Sequence, residues 1–143
     1  MNNELMFSSK TDLWSTPQDL FDSLNKEFNF TLDPCADANN FKCSKYYTKE
    51  DDGLTKSWVN DRVFCNPPYG RKIGEWVKKG YYSKQLSSNY NCIVVMLLPA
   101  RTDTKWFHEY ILGKADIRFL KGRLKFGNQK NPAPFPSMIV IYK

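Results

Sequence analysis

The chain is predicted to fold as a single α/β domain around a mostly parallel sheet, and three observations lead there. Its 143 residues suit one domain with one core. From Phe30 to Gly113, apolar runs of strand type alternate with helical stripes, the order that builds a parallel sheet. The last third carries strand signals with no helix between them, so its final strand should run antiparallel to its neighbour. A hydrophobic content of 41% with 15% aromatic residues is that of a packed globule and excludes a disordered chain.

Met1 to Leu13 is polar and aperiodic and reads as a flexible arm, leaving residues 14–143 as the folded domain. Thr16 is a good N-cap, Pro17 fits the first helical position and Asp19 complements the helix dipole. Leu20, Phe21, Leu24 and Phe28 then share one face, giving a helix to about Phe28. Phe30-Thr31-Leu32-Asp33 reads as a short strand ending in a carboxylate and followed by Pro34-Cys35-Ala36. A nucleotide-binding α/β sheet places its ligand at such strand ends. Asn39 to Lys49 reads as a polar loop, and Glu50-Asp51-Asp52-Gly53-Leu54 brings carboxylates to a turn. Trp58 is expected in the core.

Val63-Phe64-Cys65 is a buried strand that runs into Asn66-Pro67-Pro68-Tyr69-Gly70. Each proline forces the residue before it into an extended conformation, so a rigid turn carries the Asn66 amide oxygen and the Pro67 carbonyl as two acceptors. Two acceptors beside a flat aromatic face suit a planar, conjugated NH₂ group. Gripping both N–H bonds favours a pyramidal nitrogen with its lone pair free, and Tyr69 could stack on a base extruded from a duplex. An amide cannot act as a general base near pH 7, so direct in-line transfer to the amine is expected.

Arg71 and Lys72 lead into a helix whose apolar stripe is Ile73, Trp76, Val77, Gly80 and Tyr81. Ser87 to Asn91 is a loop, and Cys92 to Leu98 is a continuous apolar run, a central strand covered on both faces. Pro99 stops it. Arg101, Thr102 and Asp103 then emerge at the same sheet edge as Asn66, where Arg101 can meet a phosphate, while Thr102 or Asp103 can cap the next helix, which ends at Gly113. Asp116 to Leu120 is a strand that can continue through Arg123 to Phe126, Gly127 to Pro136 is a loop, and Met138 to Tyr142 is the last strand. Lys121, Arg123, Lys125 and Lys130 crowd this part, either tracking a nucleic-acid backbone or solvating an edge.

The net charge of +6 is by itself a weak pointer to a polyanion. Cys35, Cys43, Cys65 and Cys92 form no C-x-x-C pair and read as reduced structural thiols without a metal. His108, the only histidine, sits in a helical pattern and reads as structural. No signal peptide and no membrane-spanning apolar run is seen, so the protein is expected in the cytoplasm.

Asn66-Pro67-Pro68-Tyr69 resembles the catalytic motif of S-adenosylmethionine-dependent amino methyltransferases. The wider chain from Trp14 onward is similar to the phage and bacterial DNA N-6-adenine-methyltransferase (Dam-like) family. Besides that motif and the glycine after it, the resemblance is carried by Trp14-Ser15-Thr16-Pro17, Leu32-Asp33-Pro34-Cys35-Ala36, Asp52-Gly53-Leu54 and Ala133-Pro134-Phe135-Pro136-Ser137. It implies a Rossmann-like methyltransferase fold with an antiparallel strand near one edge. It implies transfer of a methyl group from S-adenosylmethionine to N6 of a flipped adenine in DNA, with Asn66, Pro67, Pro68 and Tyr69 catalytic. Thr16, Pro17, Asp33, Pro34, Cys35 and Asp52 would bind the cofactor, although Ala36-Asp37-Ala38 stands where many relatives carry glycines. Arg71, Lys72, Arg101, Arg123 and Lys125 would meet DNA. The same motif serves enzymes acting on RNA adenine or on the amide of protein glutamine, and an inactive DNA-binding module is a further alternative. No segment is long enough for a separate target-recognition domain, so sequence reading would fall to residues 39–49, residues 127–136 or a partner subunit. Protection of phage DNA and a restriction-modification role both remain open on these residues.

Overall fold

The computed structural model describes residues 14–143, so the arm expected at Met1 to Leu13 lies outside the described residues. Helix α1 (Gln18–Phe28) buries Phe21, Leu24 and Phe28, the expected face. It ends where Asn29 turns into the left-handed region at φ 54°, its N–H bonding the Asn25 carbonyl at 2.9 Å. Its start differs from expectation. Pro17 occupies the cap position without a side-chain bond, and Thr16 turns its hydroxyl elsewhere.

Strand β1 (Leu32–Asp33) is shorter than the Phe30–Asp33 run suggested. Strand β2 (Lys45–Tyr46) lies inside the stretch read as a loop and pairs parallel to β1. A 3₁₀ turn, Gly53–Thr55, precedes β3 (Arg62–Cys65). Helix α2 (Ile73–Leu86) buries Ile73, Trp76, Val77, Gly80 and Ser83. Strand β4 (Ile93–Pro99) follows, then α3 (Lys105–Tyr110), β5 (Asp116–Phe119) and β6 (Ser137–Tyr142). The cap of α3 is Thr104, whose hydroxyl accepts from the Phe107 N–H, and not Thr102 or Asp103. Arg123 to Phe126 does not extend β5: Gly122 at φ 75° turns the chain, and Leu124 instead accepts from the Ala133 N–H at 2.7 Å.

The six strands form one mixed sheet in the order β2-β1-β3-β4-β6-β5. Pairings on the β2 side of β4 are parallel, and β6 runs antiparallel to both β4 and β5. The antiparallel final strand is thus as expected, one place in from the edge. Phe64 and Met96 point to opposite faces, since Cys65 is the register partner of Met96 and successive side chains alternate. Phe21 of α1 meets Phe64 edge-on at 5.3 Å, while a Cβ on Gly80 of α2 would stand 2.9 Å from the Met96 sulfur. The helices therefore cover both faces. Val94 to Leu98 and Met138 to Tyr142 are almost wholly buried at the centre, and Trp58 is fully buried with its Nε1–H on the Gly53 carbonyl.

The parallel register of β3 and β4 brings Asn66 and Arg101 out at one sheet edge. Pairing of Phe119 with Met138, and of Pro99 with Ser137, brings the segment between β5 and β6 to that same edge. The end of β1 at Asp33, and the segments that follow β2 and β3 and carry Asp52 and Asn66, lie at this edge as well.

Candidate active site

A cavity of about 840 Å³ opens at this edge. Its wall takes in Thr16, Asp33, Pro34, Cys35, Asp52, Asn66, Pro67, Pro68, Arg71 and Lys72, so most of the residues named from the sequence share one site. Half-buried Pro17 follows Thr16 without lining the wall.

Asp33 ends β1 and is 4% exposed. The Lys42 N–H donates to one carboxylate oxygen at 2.9 Å and the Cys35 N–H to the other at 3.3 Å. Burial outweighs these bonds and raises the Asp33 pKa to about 6. The Cys35 thiol, pushed up to about 12 by burial and then by the Asp33 charge, stays neutral. Lys42 escaped the sequence reading because a main-chain donor leaves no side-chain signal.

Asp52 has a left-handed backbone at φ 57°, which is rare for a residue with a side chain. Its carboxylate accepts from the Leu54 N–H, and its exposed side chain lies on the cavity wall. Gly53 beside it explains the local path: a Cβ there would meet the Pro34 carbonyl oxygen at 2.1 Å. The Asp52 turn and the Asp33 loop are therefore in main-chain contact, which only glycine permits.

Asn66 leaves β3 half-buried. Its Nδ2 donates to the Trp14 carbonyl and, at 3.0 Å, to the Thr16 hydroxyl. Its Oδ1 is buried and has no hydrogen-bond partner among the described residues. A buried acceptor left unmatched costs about 1–3 kcal/mol, which a donor on a ligand would remove. The Trp14-Ser15-Thr16 segment is tied down in turn. Gly127 N–H donates to the Ser15 carbonyl at 2.9 Å, the Ser15 N–H donates to Asn128 Oδ1 at 3.0 Å, and the Trp14 ring meets Phe126 and Phe135 edge-on.

Tyr69 departs from expectation. Pro67, Pro68 and Gly70 line the cavity, but Tyr69 between them is 4% exposed and off the wall. Its hydroxyl donates to the Leu97 carbonyl at 2.8 Å, and its ring packs against Phe126 and Phe135. Burial raises its pKa well above the usual tyrosine range, so it stays protonated. In this packing it anchors the turn to β4 and presents no open face for a base; the two phenylalanines that enclose it lie some sixty residues away in sequence.

Arg71, Lys72, Arg101, Arg123 and Lys125 are all exposed, and none joins an ion pair among the described residues. Only Arg71 and Lys72 reach the cavity wall. His108 is exposed on α3 with Nε2 2.8 Å from the Thr102 carbonyl. All four cysteines are free, and the described residues hold no cluster of metal-ligating side chains and no helix long and apolar enough to cross a membrane.

The chain is similar to two phage proteins over most of its length. The DNA N-6-adenine-methyltransferase of Haemophilus phage HP1 is 31% identical over 143 residues, covering 94% of this chain and 80% of that protein. The DNA N-6-adenine-methyltransferase of Escherichia phage T1 is 35% identical over 115 residues, covering 79% of this chain but 46% of that protein, so the chain spans about half of the T1 relative. The family model described as DNA N-6-adenine-methyltransferase (Dam) matches residues 5–143. With a match that runs through every wall of the cavity, the chain belongs to the DNA N-6-adenine-methyltransferase (Dam) family.

Proposed function

We propose that this chain methylates N6 of adenine in DNA, using S-adenosylmethionine as donor, in the cytoplasm of a cell carrying the phage or prophage that encodes it. The observation that carries the reading is the orphaned Asn66 Oδ1, a buried acceptor on a residue of the cavity wall that Asp33 also lines. Family membership and the two phage relatives support DNA adenine as the substrate. The sheet supports a Rossmann-like methyltransferase fold: five strands share one direction and β6 alone opposes them. Residues 14–143 would act as one catalytic domain, reading DNA through the 39–49 and 127–136 loops.

The donor set fits the cofactor. S-adenosylmethionine carries a cationic sulfonium and an ammonium, and Asp33 is a buried carboxylate on a cavity within the usual range for small-molecule sites, roughly 300–1,000 Å³. Asp33, Pro34 and Cys35 would hold the amino-acid end, with the main chain of Thr16 and Pro17 beside it, and Asp52 would hold the hydroxyls or amine of the nucleoside end. When bound, the cofactor would supply an electrophilic methyl group to the amine nitrogen that Asn66 and Pro67 would hold, and that nitrogen would then give up a proton to water.

Asn66 Oδ1 and the Pro67 carbonyl would accept the two N–H bonds of the adenine amine, localising its lone pair and stabilising positive charge on nitrogen in the transition state. Pro68 keeps the Pro67 carbonyl in an extended conformation. Tyr69 holds the whole turn on β4 through the Leu97 carbonyl. Arg71 and Lys72 at the cavity mouth, with Arg101, Arg123 and Lys125 on neighbouring loops, would take phosphates.

The test is mass spectrometry of nucleosides from methyl-free DNA incubated with the protein and S-adenosylmethionine, with Asn66→Ala in parallel. N6-methyladenine is expected from the wild type, with at least a hundredfold loss in the variant, on the order of removing one transition-state hydrogen bond. Equal product from both would remove Asn66 from the mechanism. Product from neither would move the substrate to RNA or protein amide.

A further inference from the structure

We infer that Thr16 and the Trp14 main-chain carbonyl form a clamp that sets which end of the Asn66 amide is offered to the substrate. The inference rests on the role given to Asn66 above. It adds that the Asn-Pro-Pro-Tyr turn is not sufficient, because an amide can present either end.

The two ends of a carboxamide have nearly the same shape, and the bonding partners decide which is which. A hydroxyl such as that of Thr16 can donate or accept, so by itself it decides nothing. The Trp14 carbonyl can only accept, so the group facing it must be Nδ2. Once Nδ2 is there, Thr16 Oγ1 at 3.0 Å must act as its second acceptor. Both amide protons are then engaged, and Oδ1 is left as the unmatched atom. A flipped amide would set oxygen against the Trp14 carbonyl and present donors to an amine that needs acceptors.

Two further observations set this apart from chance contact. Thr16 is 7% exposed and stands beside a helix start that lacks a side-chain cap, although threonine is a favoured capping residue. Its hydroxyl is directed to Asn66 instead. The segment is also fastened from the far end of the chain, by Gly127 and Asn128 on Ser15 and by Phe126 and Phe135 on the Trp14 ring. The loop before β6 thereby holds the clamp in register with the catalytic turn. Thr16 is a positioning residue.

The experiment compares Thr16→Val, which keeps the shape and removes the acceptor, with Thr16→Ser, which restores it. Each is followed by kcat for N6-methyladenine formation, by calorimetry of S-adenosylmethionine binding, and by nitrogen-15 NMR of the Asn66 side-chain NH₂, identified by its absence in Asn66→Ala. The expected result for Thr16→Val is a kcat roughly tenfold lower, the size of one lost hydrogen bond, with cofactor affinity within about threefold of wild type. The Asn66 NH₂ protons should exchange slowly with water in the wild type, faster in Thr16→Val and slowly again in Thr16→Ser. Unchanged kcat in Thr16→Val would overturn the clamp, as would a loss explained wholly by weaker cofactor binding. Rapid NH₂ exchange in the wild type would overturn it whatever the activity. Slow exchange in a wild type that makes no N6-methyladenine would support the clamp and refute the proposed reaction, so the two can fail separately.

Discussion

At the scale of single residues, Asp33 carries the sharpest prediction, because burial and the proposed cationic ligand would act on it in opposite senses. Its folded pKa of about 6 lies above the ordinary value of 3.8, so the folded state holds a proton that the unfolded state releases. For this group, stability must therefore rise as pH falls from 7 through 6 towards 4; the cost relieved is on the order of 3 kcal/mol. Glu27 and Asp51, whose pKa values are lowered from 4.5 by Arg118 and from 3.8 by Thr48 respectively, contribute oppositely, but only as pH falls through and below those ordinary values. If Asp33 meets the cationic end of S-adenosylmethionine as proposed, the ionised carboxylate is the binding form, and affinity should fall over the range in which the free protein gains stability. Denaturant titrations and calorimetry at pH 7.5 and about 5.5 should show these opposed trends in the wild type, and Asp33→Asn should flatten both. Parallel trends would mean that Asp33 does not meet a cationic ligand.

At the scale of elements, the site depends on main-chain contacts between loops that share no secondary structure. Gly53 is the critical case: Gly53→Ala would drive a Cβ into the Pro34 carbonyl, a backbone atom that cannot rotate away, with the Trp76 ring 3.2 Å off on another side. The expected outcome is a loss of about 1–3 kcal/mol in stability and at least tenfold weaker S-adenosylmethionine binding, as the Asp33 and Asp52 loops part. Gly113→Ala is the control. It places a side chain at positive φ with nothing within 4 Å, so stability alone should fall, by about 1 kcal/mol. Cofactor affinity in Gly53→Ala equal to that in Gly113→Ala would show that the contact is irrelevant to binding. The same scale explains what could be read beforehand. The runs at Val63 and Cys92 and the stripe from Ile73 to Tyr81 carry their own periodicity, and each became the element it suggested. Strand β2 is two residues long in a polar stretch, too short to show any period. Thr16 has every local mark of an N-cap, yet a bond to a residue fifty positions away takes its hydroxyl. Tyr69 reads as an exposed aromatic until Phe126 and Phe135 fold over it.

At the scale of the whole molecule, topology concentrates charge that the sequence scatters. Arg71 follows β3, Arg101 follows β4, and Arg123 and Lys125 follow β5; those three strands share one direction, so these residues all emerge at the catalytic edge. Lys114 precedes β5 and lies at the opposite edge. The net charge of +6 does not show where those cations lie, and what a polyanion meets is the local arrangement. If Arg123 and Lys125 contact phosphates, Arg123→Ala and Lys125→Ala should each weaken DNA binding alike across sequences. Each should also flatten the dependence of log affinity on log salt by about 0.9, one released counterion per contact. Lys114→Ala, equal in charge removed, should leave that slope unchanged. Fluorescence anisotropy of a labelled duplex between low and physiological salt would measure all three. Equal slopes for Lys114→Ala and Lys125→Ala would mean that net charge alone attracts DNA, and that the loop before β6 holds the catalytic turn without touching the substrate.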